Sequence, residues 1–230
     1  MSFLQDLVRL LYPARCCGCG ELLVGDEHDL CSMCLLSLPL TQFSTMEGNR
    51  AERLFQGRLP LQAATSLLYF NEFNTTRALL HEIKYHDNIK LAHTLGAMLG
   101  QEMTQSHRFD TVDCIVPIPL HWRKKIQRGY NQSLEICEGI AKTFPRPILK
   151  HNMYRKHYTE TQTRKNRLER MQNTEDVFSL RNPQALYGKH ILVVDDVITT
   201  GATIESACRL LADLPTVKIS VASIALATTT

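Results

Sequence analysis

Apolar positions along this chain follow two rhythms that take turns. Continuous apolar runs at Ala63–Phe70, Thr111–Ile118, His190–Asp195 and Val217–Ala225 read as buried strands. Between them, apolar residues recur at i, i+3 and i+4, which predicts helices over Thr75–Tyr85, Leu91–Met103, Asn131–Lys142 and Ala202–Leu214. Pro117 and Pro119 halt the second strand. Strands alternating with helices imply an α/β fold built on a mainly parallel sheet flanked by helices. Three stretches stand outside the alternation. Residues 3–11 (Phe3, Leu4, Leu7, Val8, Leu11) read as a short amphipathic helix ending at Pro13, suited to packing on the neighbouring domain, with a membrane surface as the alternative. Residues 36–60 are polar and mixed and read as a connector. Residues 151–173 are polar, basic and aperiodic, a long loop of the kind that is usually functional or disordered.

Composition narrows the class. A chain of 230 residues allows one full domain and a small appendage. With 44% hydrophobic and 21% charged residues, long disorder, collagen and coiled coil are excluded. No apolar run approaches the roughly 18 residues of a membrane span. The opening stretch is interrupted by Asp6 and Arg9 and lacks both a basic start and a small-residue cleavage site. The expectation is a cytoplasmic protein with no signal peptide and no membrane insertion. The formal charge of +3 conceals a polarity: residues 121–170 hold 13 Lys or Arg against four acids, inside an otherwise acidic frame. Such a block suits an anionic partner, the alternative being a solvated basic face.

The cysteines are as uneven as the charge. Five of the eight lie within residues 16–34, in the order Cys16-x2-Cys19, eleven residues, Cys31-x2-Cys34, with Cys17 left over. Each Cys-x2-Cys turn aims two thiolates at one centre, and four thiolates make a closed tetrahedral Zn2+ site of structural type. A redox pair or bare thiols is the alternative, and His28 ranks behind the four thiolates as a ligand. Cys114, Cys137 and Cys208 show no metal spacing and read as small core residues.

The richest chemistry lies at Ile191-Leu-Val-Val-Asp-Asp-Val-Ile-Thr-Thr-Gly-Ala-Thr203. An apolar strand runs into two carboxylates, then a turn of small residues, then a helix. The turn Thr199-Thr200-Gly201-Ala202-Thr203 offers backbone N–H groups and three hydroxyls at a helix N-terminus, which makes a phosphate cradle. Asp195 and Asp196 suit the two hydroxyls of a diol. Together they predict a site for a 5-phosphorylated ribose. A Walker loop is excluded, since no Gly-Lys-Ser/Thr follows, and the acidic pair comes too late in the chain for a response-regulator receiver.

This stretch resembles the phosphoribosyl pyrophosphate (PRPP) motif of type I phosphoribosyltransferases. Further marks are Cys16/Cys19/Cys31/Cys34, Ile83-Lys84-Tyr85, Pro117-Ile-Pro-Leu120, Arg128-Gly-Tyr-Asn-Gln132 and the set Arg155, Thr159, Gln162, Arg167, Arg170, Asn173 and Phe178. On these marks the whole chain is similar to the ComF/GntX family, competence-associated proteins that pair a zinc knuckle with a phosphoribosyltransferase domain. The resemblance implies a type I phosphoribosyltransferase-like fold over 46–230, a small N-terminal helix and zinc ribbon or knuckle over 1–45, and a flexible loop at about 151–173. It implies PRPP bound with Mg2+, and an accessory role in competence, DNA uptake or use of extracellular DNA. Asp195 and Asp196 would serve catalysis. Thr199, Thr200, Gly201, Ala202, Thr203, Arg123, Arg155 and Lys156 would hold the phosphates, with Arg123 in the pyrophosphate loop and Arg155 and Lys156 at the start of a closing loop that Arg164, Arg167 and Arg170 continue. Purine-salvage members carry an acid where this chain has Thr199, so the general base is unassigned; His121 is near the pyrophosphate loop. Two readings follow: a Mg2+-dependent transferase with an unidentified acceptor, or a non-catalytic module that binds PRPP or single-stranded DNA and docks a competence-machinery protein.

Overall fold

The computed structural model of the chain describes residues 14–70, 75–120, 126, 128–156 and 177–227. The helix expected at 3–11 lies outside these residues, as do Arg123, His121, Arg164, Arg167, Arg170 and nearly all of the loop expected at 151–173. In chain order the described elements are helices α1 (Ser32–Leu36) and α2 (Arg50–Phe55), strand β1 (Leu61–Phe70), helices α3 (Thr75–Tyr85) and α4 (Ile89–Ser106), strand β2 (Cys114–Pro117) and helix α5 (Gln132–Thr143). A hairpin of β3 (Met153–Arg155) and β4 (Phe178–Leu180) follows, then β5 (His190–Ile198), α6 (Ala202–Ala212) and β6 (Lys218–Ala227). The expected helices and strands recur within a few residues at each end.

Four strands form one sheet in the order β1-β6-β5-β2, every neighbouring pair parallel. A parallel sheet needs cover on both faces, which is why these strands are almost wholly apolar. Alternate residues of β5 divide between two cores. Leu192 and Val194 join the cluster that holds Leu79 and Ile83 of α3, Leu95 and Leu99 of α4, and Ile136 and Ile140 of α5. Ile191 and Val193 join the cluster of Phe55 on α2 and Ile204, Ala207 and Leu211 on α6. The remaining cysteines of the body, Cys114, Cys137 and Cys208, are buried as expected of small core residues.

Two expectations are corrected. Residues 36–60 are no simple connector: they hold α2 and a short 3-10 turn at Phe43–Thr45, with Phe43 and Phe55 buried. The cause is Asn49. Its side-chain oxygen accepts from the N–H groups of Ala51 and Glu52 and so caps α2, while its amide donates to the carbonyls of Phe43, Met46 and Ala64. A buried polar residue here organises a segment whose composition reads as loop. The stretch starting at 151 likewise opens as β3, paired antiparallel with β4, because Arg155 and Phe178 face each other across three residues of register.

The topology places a cleft. From β5 the chain crosses to β6 through α6, on one face of the sheet, whereas the helix after β2, α5, covers the opposite face. The connections leaving the carboxyl ends of adjacent β2 and β5 therefore diverge, and ligands of open α/β sheets bind at such a switch point.

Candidate functional site

A cavity of about 600 Å³ opens at this point. It is lined by Ile118, Pro119 and Leu120 after β2, Gln132 and Ser133 of α5, Asp195 and Asp196 of β5, Thr199 and Thr203 of the following turn, and Arg155 of the hairpin. From α3 come Arg77, His81 and Lys84. The two acids belong to the strand itself, which runs on to Ile198, so the sheet ladder fixes their backbone.

Asp195 is the more enclosed acid. Ser133 Oγ donates to its Oδ1 at 3.0 Å, and the Asp196 N–H donates to the same oxygen at 2.9 Å. Burial, and then the neighbouring charge of Asp196, push its carboxyl up to about 7, against those two hydrogen bonds. Asp196 pairs with Lys84 Nζ at 3.1 Å. Lys84 stands at the end of α3, 112 residues before Asp196, and only the mark Ile83-Lys84-Tyr85 pointed to it in the sequence.

The turn from Thr199 to Thr203 is shaped by a close approach. Gly201 has φ +78° and forms the N-cap of α6. A Cβ there would also lie 2.6 Å from a ring carbon of Phe55. Only glycine meets both demands. Arg58 braces the same turn: its Nη1 donates to the Thr200 carbonyl at 3.3 Å, and Nη2 pairs with Glu205 in the first turn of α6. The opening N–H groups of a helix have no partner within it, so α6 presents its positive end to the cavity beside Thr199 and Thr203.

Two buried donors in the cavity lack a hydrogen-bond partner among the described residues, Arg128 Nε and Gln132 Nε2. Gln132 is 1% exposed. Native interiors rarely leave such donors unmet. Arg128 also lies over the Tyr85 ring at 5.2 Å. Arg155 donates from Nε to the Pro119 carbonyl at 3.1 Å and stacks over Phe178 at 4.9 Å, so the hairpin is tied to the loop after β2. Burial lowers its basicity, and the charge of Asp195 opposes that change.

The structure thus brings Asp195, Asp196, Thr199, Thr203 and Arg155 to one cavity. Thr200 and Gly201 shape the turn beneath it, and Ala202 faces an adjoining groove with Arg155, Glu205 and Arg209. Lys156 is exposed and does not line the cavity. Sequence reasoning missed Arg58 and Ser133 as parts of the site, and no local pattern marks them; Gln132 lies in the mark Arg128-Gly-Tyr-Asn-Gln132, with no role assigned to it there.

Near the start of α3 the Sγ atoms of Cys16, Cys19, Cys31 and Cys34 all lie within 4.8 Å of one another. Ligand bonds of about 2.3 Å in a tetrahedron put thiolates about 3.8 Å apart. Cys19 and Cys31 stand at 3.7 Å, the spacing expected of two ligands on one metal ion. The N–H groups of Gly18 and Cys31 point at Cys16 Sγ at 3.4 and 3.2 Å, as suits a thiolate. Cys17 is turned away: Asn88 Nδ2 donates to its sulfur, and burial pushes its thiol up to about 11.

Residues 131–228 match the family model of the phosphoribosyl transferase domain. Over 136 residues the chain is 32% identical to the DNA utilization protein YhgH of Salmonella typhimurium, a match covering 58% of this chain and 59% of that protein. It is 28% identical over 147 residues to competence protein F of Haemophilus influenzae, covering 62% and 64% of the two chains. A third relative is competence protein ComFC of Bacillus subtilis, 34% identical over 97 residues, covering 42% and 37%. The chain thus spans about three fifths of the length of the first two relatives. A solved structure of the allosteric regulatory enzyme of purine biosynthesis superposes with a TM-score of 0.42 at 18% identity, over 61% of this chain and 29% of that one. Among the described residues no helix is long and apolar enough to cross a membrane.

Proposed function

Since this chain belongs to the ComF family of competence-associated proteins with a phosphoribosyltransferase domain, we propose that it binds PRPP with Mg2+ in the cavity at the ends of β2 and β5. In this reading the protein is a cytoplasmic accessory of DNA uptake or utilization. The observation that carries it is the convergence of the acidic pair Asp195/Asp196 and the cradle Thr199–Thr203 on one cavity with Lys84, Arg128 and Arg155. Phosphate at the N-terminus of α6 uses backbone N–H groups and threonine hydroxyls. Ribose hydroxyls donate to Asp195 and Asp196.

The chemistry of the acids suits a hard cation, because Asp195 and Asp196 offer carboxylate oxygens to the cavity. Mg2+ there supplies neutralisation of the pyrophosphate charge. The chain's own residues do the rest. Lys84 holds Asp196 in place, and Ser133 orients Asp195. As the bond from ribose C1 to pyrophosphate breaks, positive charge grows on the ring, and the two carboxylates stabilise it. Arg155, Arg128 and Gln132 line the same cavity and bring cationic and amide groups to the oxygen-rich ligand. Zn2+ at the four cysteines completes the reading as a structural ion.

Titration calorimetry of the full chain with PRPP in the presence of Mg2+ tests it. The expected result is one binding event, weakened at least a hundredfold in the Asp195→Asn/Asp196→Asn double variant and markedly weaker without Mg2+. No heat and no competition by pyrophosphate with the folded wild type would overturn the reading. Pyrophosphate release on adding a panel of bases then assigns the acceptor.

A further inference from the structure

Helix α3 carries a second cluster of ligand atoms that the PRPP site does not use. His81, Glu82 and His86 each bring one ligand atom to within 4.8 Å of the other two. Their sequence spacing is unusual for a helical metal motif, because His86 follows the last helical residue, Tyr85. Its N–H nevertheless donates to the Glu82 carbonyl at 3.1 Å, which continues the turn. The imidazole folds back so that Nδ1 meets Glu82 Oε1 at 2.8 Å. The His81 ring stands edge-on to the His86 ring at 5.1 Å and tilts against Tyr85 at 4.9 Å. The cluster sits between two other features: His81 lines the PRPP cavity, and the charge of Glu82 reaches Cys17 beside the cysteine quartet.

We propose that His81, Glu82 and His86 form a second, three-ligand site for a divalent transition ion of the Zn2+, Co2+ or Ni2+ class at the mouth of the cavity. Two imidazoles and one carboxylate select these borderline ions over Mg2+, which takes oxygen ligands almost alone. Three protein ligands differ in kind from the closed cysteine quartet: they leave a coordination position open for water or an anionic oxygen. The ligand atoms are already assembled, so binding requires loss of water and of a proton from any charged imidazole, and no movement of the backbone.

Cobalt distinguishes the two sites, because thiolate ligands give intense charge-transfer bands that imidazole and carboxylate do not. The 230-residue chain with its cysteine quartet saturated with zinc is dialysed against Co2+, and bound metal is counted. The expected result is one equivalent of cobalt beyond the zinc, with weak visible bands and no thiolate charge transfer. His81→Gln/His86→Gln should bind cobalt at least tenfold more weakly, and Glu82→Gln should weaken it in the same direction. His107→Gln, at an exposed histidine paired with Asp110 elsewhere, should leave the stoichiometry unchanged. Circular dichroism of the metal-free variants checks that all are folded. A zinc-saturated wild type that takes up no cobalt, or a folded double variant that takes up as much as wild type, overturns the proposal.

Discussion

Asp195 shows how far a single residue's chemistry depends on its neighbours. Its carboxyl, ordinarily at 3.8, is carried to about 7 mainly by burial and by Asp196. Between these two values the folded state holds a proton that the unfolded chain has released. The contribution of Asp195 to stability therefore falls as pH rises from about 4 to about 7 and is level on either side. Asp195→Asn removes this titration and can keep the hydrogen bond from Ser133. The variant should match wild type near pH 4 and exceed it by about 1–3 kcal/mol at pH 8, as urea unfolding at the two pH values will show. Parallel pH profiles for the two proteins would mean that Asp195 titrates in its ordinary range. The gain in stability at the expense of ligand binding is the expected signature of a residue placed for function.

At the scale of elements, the position of α5 matters most, because its first turn brings Gln132 and Ser133 to the acids. Asn131 caps this helix by accepting from the Ser133 N–H, and its amide donates to the Ile118 carbonyl at 3.1 Å, tying α5 to the loop after β2. Farther along, α5 presses against α4 through backbone on both sides. A Cβ on Gly139 would lie 2.4 Å from the His93 carbonyl oxygen, and one on Gly96 would lie 2.4 Å from that of Ile136. Such contacts leave no room for a methyl group. In an exposed helix Gly→Ala gains about 1 kcal/mol in propensity. Here overpacking should outweigh it, and Gly139→Ala is expected to cost a net amount of about 1–3 kcal/mol. A lower urea midpoint, with weaker PRPP binding as α5 shifts, is the outcome to look for. An unchanged or raised midpoint would show that α4 and α5 can separate freely.

Across the whole molecule, α3 and α4 link the cysteine quartet to the cavity. Cys16, Leu30, Cys34 and Leu38 belong to the same apolar cluster as Leu79, Leu95 and Ile136. Thr94 Oγ1 donates to Asp29 Oδ2 at 2.9 Å, and Asn88, the cap of α4, donates to Cys17. A metal bound at the quartet would therefore support the surface on which α3 rests, and α3 supplies Lys84. Stripping it should cost on the order of 4 kcal/mol and lower the thermal midpoint by about 10 °C. Calorimetry before and after chelation, with re-addition of Zn2+ to restore the midpoint, checks this. A midpoint indifferent to chelation would reduce the quartet to four thiols.

The same three scales separate what the residue string carries from what folding adds. The alternation of strands and helices, the cysteine quartet and the run from Ile191 to Thr203 are local patterns, legible because period, spacing and turn chemistry are properties of neighbouring residues. The burial of Cys114, Cys137 and Cys208 followed from their apolar surroundings. Residues 36–60 were misread because Asn49 works through carbonyls as distant as Ala64, and the β3–β4 hairpin because its partners lie more than twenty residues apart. The Lys84–Asp196 pair, the brace of Arg58 on Thr200 and the bond from Ser133 to Asp195 join positions 62 to 142 residues apart. Those contacts, and with them the charge state of Asp195, arise only when helices pack on both faces of the parallel sheet. Local chemistry marked the candidate site; long-range packing decided which side chains surround it.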